Sequence, residues 1–123
     1  MSTPYPNTAL IVNRAQSTIT IDRDPNFDDM ILIFDGVDSE GTYSLAPGKQ
    51  VYVGSTYGSD MGLCLIYNAD ERYMEIGAGA DAGIDSPEFQ VISDSEDDGS
   101  GPLAYDATGA TDTSITLTFR VSS

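Results

Sequence analysis

MGLCLIYN, at residues 61–68, is an uncharged stretch whose apolar residues do not alternate with polar ones. The turn-forming residues Gly58-Ser59-Asp60 precede it, and Asn68-Ala69-Asp70 follow it. A short apolar run between turn signals is typical of a β-strand that is covered on both faces. The second cover is either another part of the chain or a neighbouring subunit. Residues 30–34, MILIF, have the same character, and we expect the two stretches to share one core.

The rest of the chain is divided into short segments rich in β-branched and aromatic residues. They lie at residues 8–13, 17–22, 42–45, 50–54, 72–76, 87–92 and 113–121. Glycine, proline and aspartate separate them, and no window repeats apolar residues at helical spacing. The sequence therefore predicts an all-β fold with about eight short strands: a single-domain antiparallel β-sandwich (jelly-roll or immunoglobulin-like) or a small barrel.

Three strand pairings are predicted. Residues 8–13 and 17–22 are separated by a short turn, and we expect them to pair as a hairpin. The stretch at 61–68 is expected to pair antiparallel with residues 72–76 across the intervening turn. The first strand and the last, at 113–121, are expected to lie in the same sheet, as terminal strands often do in sandwiches.

The length of 123 residues suits one domain, which we place at residues 8–123. Pro4 and Pro6 favour an extended N-terminal arm at residues 1–7. No apolar stretch reaches the roughly 18 residues of a membrane span, and the N-terminus lacks the pattern of a secretory signal peptide. We therefore expect no membrane association, and localisation in a virion or in the cytoplasm before assembly.

Charge is the most pronounced feature of the composition. Twenty acidic residues face five basic ones, which gives a formal net charge of −15, and there is no histidine. Self-repulsion at this density opposes folding unless ions screen it, and molar salt shortens the screening length to about 3 Å. We interpret the composition as adaptation to concentrated salt; the alternative is an ordinary acidic surface. Nucleic-acid binding is not expected, because phosphate recognition needs clustered lysine and arginine.

The sequence does not predict an enzyme. Without histidine there is no Ser-His-Asp or Cys-His arrangement and no imidazole metal site. Carboxylates could hydrolyse a glycoside, but there is no tryptophan on which a sugar could stack. The single cysteine, Cys64, cannot form an internal disulfide, and its apolar neighbours Leu63 and Leu65 predict a buried residue rather than a reactive thiol.

One acidic loop carries a candidate metal site. Its oxygen-bearing side chains fall on every second residue: Asp22, Asp24, Asn26 and Asp28. Calcium requires six to eight oxygen ligands, and this pattern resembles the opening of an EF-hand loop. Phe27 then replaces the glycine of the sharp turn, and Ile33 stands where the bidentate glutamate belongs. We expect either a calcium site of another geometry or a solvated loop without a ligand; no other cofactor is expected.

Three tyrosines are candidate interface residues. Tyr5, Tyr57 and Tyr105 lie in or beside predicted loops, where a rigid amphipathic ring is useful for contacts with a partner. The alternative is packing at the edge of the core.

Together these features favour a non-enzymatic structural or assembly protein. The setting that fits best is the virion surface of a virus with a halophilic host: a capsid decoration, turret or tail protein. The partners would be other copies of this chain or other capsid and assembly proteins. The small β domain and its last strand resemble capsid-decoration proteins of phages by analogy of fold. The alternative is a calcium- or carbohydrate-binding β-sandwich module that uses the loops at 22–29 and 93–102.

Overall fold

The computed structural model describes residues 8–27, 30–35, 37–39, 42–57, 60–79, 83, 85–94 and 103–121. The predicted arm at residues 1–7 lies outside them. The described strands are β1 Thr8–Asn13, β2 Ile19–Arg23, β3 Leu32–Phe34, β4 Val37–Ser39, β5 Tyr43–Leu45, β6 Gln50–Ser55, β7 Asp60–Tyr67, β8 Asp70–Gly77, β9 Gln90–Asp94, β10 Leu103–Thr108 and β11 Ser114–Val121. None of the described segments is a helix of the length and apolar character that crossing a bilayer requires.

The strands form two sheets that pack against each other. One has six strands in the order β10-β11-β1-β6-β3-β4, and the other has five in the order β5-β2-β7-β8-β9. The predicted all-β sandwich is confirmed, and the described strands do not close into a barrel. The described residues contain eleven strands rather than about eight, and one of them, β4, is not among the predicted segments. Pairing is antiparallel except between β1 and β11, which lie side by side and run parallel.

The predicted hairpin of residues 8–13 with 17–22 is wrong. β1 belongs to the six-stranded sheet and β2 to the five-stranded one, so the chain crosses between the sheets after Asn13. The Asn13 side chain is fully buried at this crossing. Its Nδ2 donates to the carbonyls of Ser17 (3.0 Å) and Leu45 (2.8 Å), and its Oδ1 accepts from the Ala15 N–H (2.8 Å). These bonds hold the crossing in place of a hairpin turn.

The predicted antiparallel pairing of the central apolar stretch is confirmed. β7 pairs with β8 along its whole length, from Tyr67 opposite Asp70 to Asp60 opposite Gly77. The connection is a two-residue turn in which Asn68 and Ala69 both have positive φ, 52° and 70°. Positive φ at both central positions defines the type I′ turn, whose twist matches that of the flanking strands.

Ala69→Gly should stabilise the protein by about 0.5 to 1 kcal/mol, because alanine is disfavoured at positive φ and glycine is not. Chemical denaturation of the two proteins measures the difference. Gly48 provides the opposite control: its φ is +80°, and a Cβ there would meet no atom within 4 Å. Gly48→Ala should therefore destabilise through backbone conformation alone. No gain in Ala69→Gly together with a loss in Gly48→Ala would contradict the strain at Ala69.

The core lies between the two sheets. β7 contributes alternate side chains to it from Met61 to Tyr67, all of which are buried. Met30, Leu32 and Phe34 belong to the same cluster. The two apolar stretches therefore share one core, as the sequence predicts.

Arg72, which forms a buried ion pair within the smaller sheet, also joins the two sheets at one side of the core. Arg72 on β8 is 5% exposed, and its guanidinium donates to both carboxylate oxygens of Asp94 on β9, at 2.8 and 2.6 Å. Its third nitrogen donates to the carbonyl of Leu103, the first residue of β10 in the other sheet. The guanidinium also lies 5.0 Å from the centre of the Tyr105 ring. One side chain thus holds three strands from both sheets.

Candidate functional site

The face of the five-stranded sheet that points away from the core, here called the outer face, is partly covered by the protein itself. Gly62 and Cys64 of β7 lie on it and are nevertheless buried. The cover is the segment 24–27 that follows β2, here called the covering loop. The Asp24 N–H donates to the Gly62 carbonyl at 3.0 Å, and the Phe27 ring lies against Gly62. The central strand is therefore covered on both faces, as predicted, and the second cover comes from the chain's own loop.

Hydrogen bonds within the covering loop occupy its polar groups. Asp24 is 8% exposed, and its Oδ1 accepts from the Asn26 N–H at 2.9 Å. The Asp24 carbonyl accepts from the Phe27 N–H, and the Phe27 carbonyl accepts from the Met30 N–H. An aspartate that bonds the backbone two residues ahead is a common turn-forming device. This turn places the Phe27 ring over the strand.

The predicted calcium ligands are brought only partly together. Asp22 lies on the outer face of β2, with its Oδ1 accepting from the Arg23 N–H at 2.8 Å, while Asp24 is turned into the covering loop. Asp28 lies outside the described residues. Within the described ranges, no three carboxylate, cysteine or histidine groups are placed to hold a metal ion together. The calcium site at Asp22, Asp24, Asn26 and Asp28 stays a prediction.

A pair of carboxyl groups on the outer face was not singled out from the sequence. Asp60 opens β7, and Glu75 on β8 pairs with Gly62, which places the two side chains on adjacent strands near the covering loop. A hydrogen bond between their carboxyl groups is among the causes that raise the pKa of Glu75. Asp60 Oδ1 is shielded from solvent and receives no hydrogen bond from a protein N–H or O–H donor in the described structure. Two ionised carboxylates cannot donate to each other, so this contact requires a proton.

The electrostatics of the pair agree with a shared proton. Burial, the hydrogen bond to Asp60 and the charges of Asp60 and Asp24 together raise the pKa of Glu75 from its ordinary 4.5 to about 7, and burial is the largest of these causes. Burial also raises the pKa of Asp60, while its hydrogen bond with Glu75 acts in the opposite direction. Two carboxyl groups that interact strongly titrate as a unit, and the pKa of one of them is moved well upward.

An open hollow of about 360 Å³ lies beside the covering loop on the same face. Cys64 and Ile66 belong to its lining, as do the acidic residues Asp22 and Glu71 and the ring of Tyr73. Burial raises the pKa of the Cys64 thiol, and the charges of Glu71 and Asp22 raise it further. Cys64 is 5% exposed. It is therefore the buried, protonated thiol that the sequence predicts, in a region of negative potential.

The three candidate interface tyrosines have different surroundings. Tyr57 is 41% exposed, and its ring centre lies 5.9 Å from that of Phe27 in the covering loop. Tyr105 is half-buried and packs against Phe119, with ring centres 5.9 Å apart. Tyr5 lies outside the described residues. Tyr57 is thus the described candidate best placed for an intermolecular contact, and the interface role of all three stays a prediction.

Comparison with known proteins adds no family to this description. No protein-family model matches the chain, and no curated protein matches it. The assignment of a function therefore starts from the fold, the covering loop, the carboxyl pair and the distribution of charge.

Proposed function

We propose that this chain is a non-enzymatic structural protein that assembles with copies of itself or with partner proteins in concentrated salt, as a surface component of a virion from a halophilic host. The distribution of charge is the observation that carries the proposal. Among the described acidic residues, only Asp24 and the side chain of Asp94 are buried, and both are hydrogen-bonded. The core is apolar; Asp60 and Glu75 are partly shielded, and the other carboxylates whose burial is described lie at or near the surface.

Such a surface favours a salt-rich environment. The screening length, over which the charges repel one another, is about 30 Å in roughly 0.01 M salt and about 3 Å in molar salt. A net charge of −15 on 123 residues therefore opposes the folded state most strongly in dilute buffer. Lys49 is the only lysine, so few ammonium groups are present to neutralise the carboxylates locally.

Features of the surface support assembly. Among the strands that the structure describes, both sheets end in strands with one unpaired edge: β10 and β4 in the larger sheet, β5 and β9 in the smaller. Unpaired edges present backbone donors and acceptors that another chain can use. Tyr57 is exposed next to Phe27, and aromatic rings of this kind are enriched at protein interfaces. An edge strand or the Phe27–Tyr57 pair offers a surface for contact with another chain.

One salt series tests the proposal with two measurements. From dilute buffer to molar sodium chloride, the melting temperature should rise by about 10 °C or more, which corresponds to a few kcal/mol at this chain length. Solution mass, measured by light scattering, should show a defined oligomer, with a trimer or pentamer expected. A variant with Asp70→Asn, Glu88→Gln and Asp112→Asn, which neutralises three exposed carboxylates, should depend less on salt. An equal melting temperature in both media, or a monomer at high protein and salt concentration, would contradict the proposal.

A second candidate function, a binding module, is favoured by the hollow beside the covering loop. Asp22 and Glu71 together with the Tyr73 ring could bind a small polar or cationic ligand. Solution mass separates the two candidates. A monomer whose melting temperature rises with added calcium or sugar would favour the binding module.

A further inference from the structure

The Asp60–Glu75 pair lies where three parts of the chain meet. Ser55 Oγ donates to the Asp60 carbonyl at 2.7 Å, which fixes the start of β7. Glu75 lies opposite Gly62, and a Cβ placed on Gly62 would come within 2.9 Å of the Asp24 Cβ in the covering loop. The Asp24 carboxylate therefore lies close to the pair, and its charge acts on Glu75.

The charged groups around the pair are acidic. Asp24 faces it from the covering loop, and Ser93, opposite Glu75 on β9, carries no charge. On β8 itself, Arg72 is directed into the core, where it binds Asp94. No lysine or arginine of the described residues is among the groups that move the pKa of Asp60 or Glu75. A negative charge gained by the pair is therefore not compensated by these neighbours.

We propose that Asp60 and Glu75 share one proton and that this proton is a pH-sensitive latch that holds the covering loop over β7. The geometric reason is the shielded Asp60 Oδ1, which receives no hydrogen bond from the described residues and which a proton on the neighbouring Glu75 carboxyl would satisfy. When the proton leaves, three carboxylates, those of Asp24, Asp60 and Glu75, are left close together and partly shielded from water. Their repulsion disfavours the closed arrangement.

The covering loop is the part that can move. β7 and β8 are held by a continuous ladder of hydrogen bonds, whereas the described contacts of the loop with β7 are the bond from the Asp24 N–H to Gly62 and the packing of the Phe27 ring. Displacing the loop relieves the repulsion without breaking the sheet. It also exposes the Phe27 ring beside Tyr57 and uncovers β7 near Cys64. The latch thus links protonation to the exposure of an aromatic surface.

The direction of the pH effect follows from the two protonation states. Glu75 has a pKa of about 7 in the folded protein and an ordinary value of 4.5. The folded state keeps a proton between these values that the unfolded chain releases. The contribution of the pair to stability is therefore fully present below 4.5, falls through the interval and is lost above about 7. Molar salt should move the midpoint downward, because screening weakens the repulsion from Asp24 and Asp60.

Cys64 is a built-in reporter of loop opening, because it is the only cysteine and lines the hollow beside the covering loop together with Pro25. Its alkylation by neutral iodoacetamide is measured from about pH 5 to about pH 9 and divided by the rate of the urea-unfolded protein at the same pH. The normalised rate should rise about tenfold around pH 7 in the wild type. Glu75→Gln, which mimics the protonated carboxyl, should abolish this rise. The exposed control Glu88→Gln should behave like the wild type.

Two further measurements test the proposal on the wild-type protein, so they do not depend on whether the variants fold. Carboxyl carbon NMR of the wild-type protein should show Glu75 titrating near pH 7; a midpoint near 4.5 overturns the proposal. The same alkylation series is run with EDTA and with calcium. If calcium removes the rise and raises the melting temperature in the wild type but not in Glu75→Gln, the oxygens hold a cation, and the shared proton is overturned. An equal rise in wild type and Glu75→Gln also overturns it.

Discussion

Arg72→Met should lower the free energy of unfolding by about 3 to 5 kcal/mol, because it removes the arginine that pairs with a buried carboxylate. Methionine keeps the length of the side chain and its packing against Tyr105. It loses both hydrogen bonds to Asp94, whose side chain is 3% exposed, and the bond to the Leu103 carbonyl. Because Leu103 belongs to the other sheet, the substitution also removes a connection between the two layers. Urea denaturation monitored by circular dichroism measures the loss.

Two controls separate the ion pair from ordinary surface charge. Replacing Asp94 by leucine in the Arg72→Met protein removes the uncompensated charge, so most of the lost stability should return. Arg120 pairs with Asp106 at 3.0 Å on the surface, where the two side chains are 49% and 59% exposed. Arg120→Met should therefore cost less than about 1 kcal/mol. Equal losses for Arg72→Met and Arg120→Met would show that the buried pair contributes no more than a solvated one.

Gly62→Ala should destabilise the protein by about 2 to 3 kcal/mol, since the added methyl group has no room on the outer face. A Cβ at this position would overlap the ring carbons Cδ1 and Cε1 of Phe27 and lie 2.9 Å from the Asp24 Cβ. The strand cannot move away, because it is paired with β2 on one side and β8 on the other. The Phe27 ring, and with it the covering loop, must therefore shift.

A double-mutant cycle with Phe27 identifies the contact responsible. Gly62→Ala should cost less in a Phe27→Ala background, with a coupling of about 1 to 2 kcal/mol, because the ring that it overlaps is gone. Cys64 alkylation should increase in Gly62→Ala at constant pH, since the covering loop is displaced. Additive losses in the cycle would mean that Phe27 does not press on Gly62.

The sequence predicts the strands and their buried faces well because alternation is local information. Ile115, Leu117 and Phe119 of β11 are buried as the pattern indicates, and the unbroken apolar stretch of β7 is covered on both faces. The choice of partner strand is not local. β1 and β2 read as a hairpin, yet the Asn13 side chain bonds to the Leu45 carbonyl, 32 residues away, and directs the chain into the other sheet. The periodicity of the sequence does not predict that hydrogen bond.

In the candidate site, too, local features can be predicted from the sequence and contacts between distant segments cannot. Alternating oxygen donors at residues 22–28 predict a calcium site, which stays untested, and their spacing does not reveal that Asp24 bonds within its own turn and helps to cover Gly62. The Asp60–Glu75 pair was accessible in principle: counting outward from the Asn68-Ala69 turn pairs Gly62 with Glu75 and places both acids on one face. What could not be read from the sequence is the covering loop, because its contact with Gly62 joins segments that are far apart in the chain.

The parallel pairing of β1 with β11 has a consequence for biosynthesis. β11 is inserted between β10 and β1, so the larger sheet has a gap until the final described strand has been made. A nascent chain still lacking that strand would expose the flank of β1 and leave β10 without a neighbour. The larger sheet therefore cannot be completed strand by strand as the chain is synthesised. Folding on the order of milliseconds to seconds is typical of such non-local topologies. This interval before closure is the period of greatest risk of aggregation.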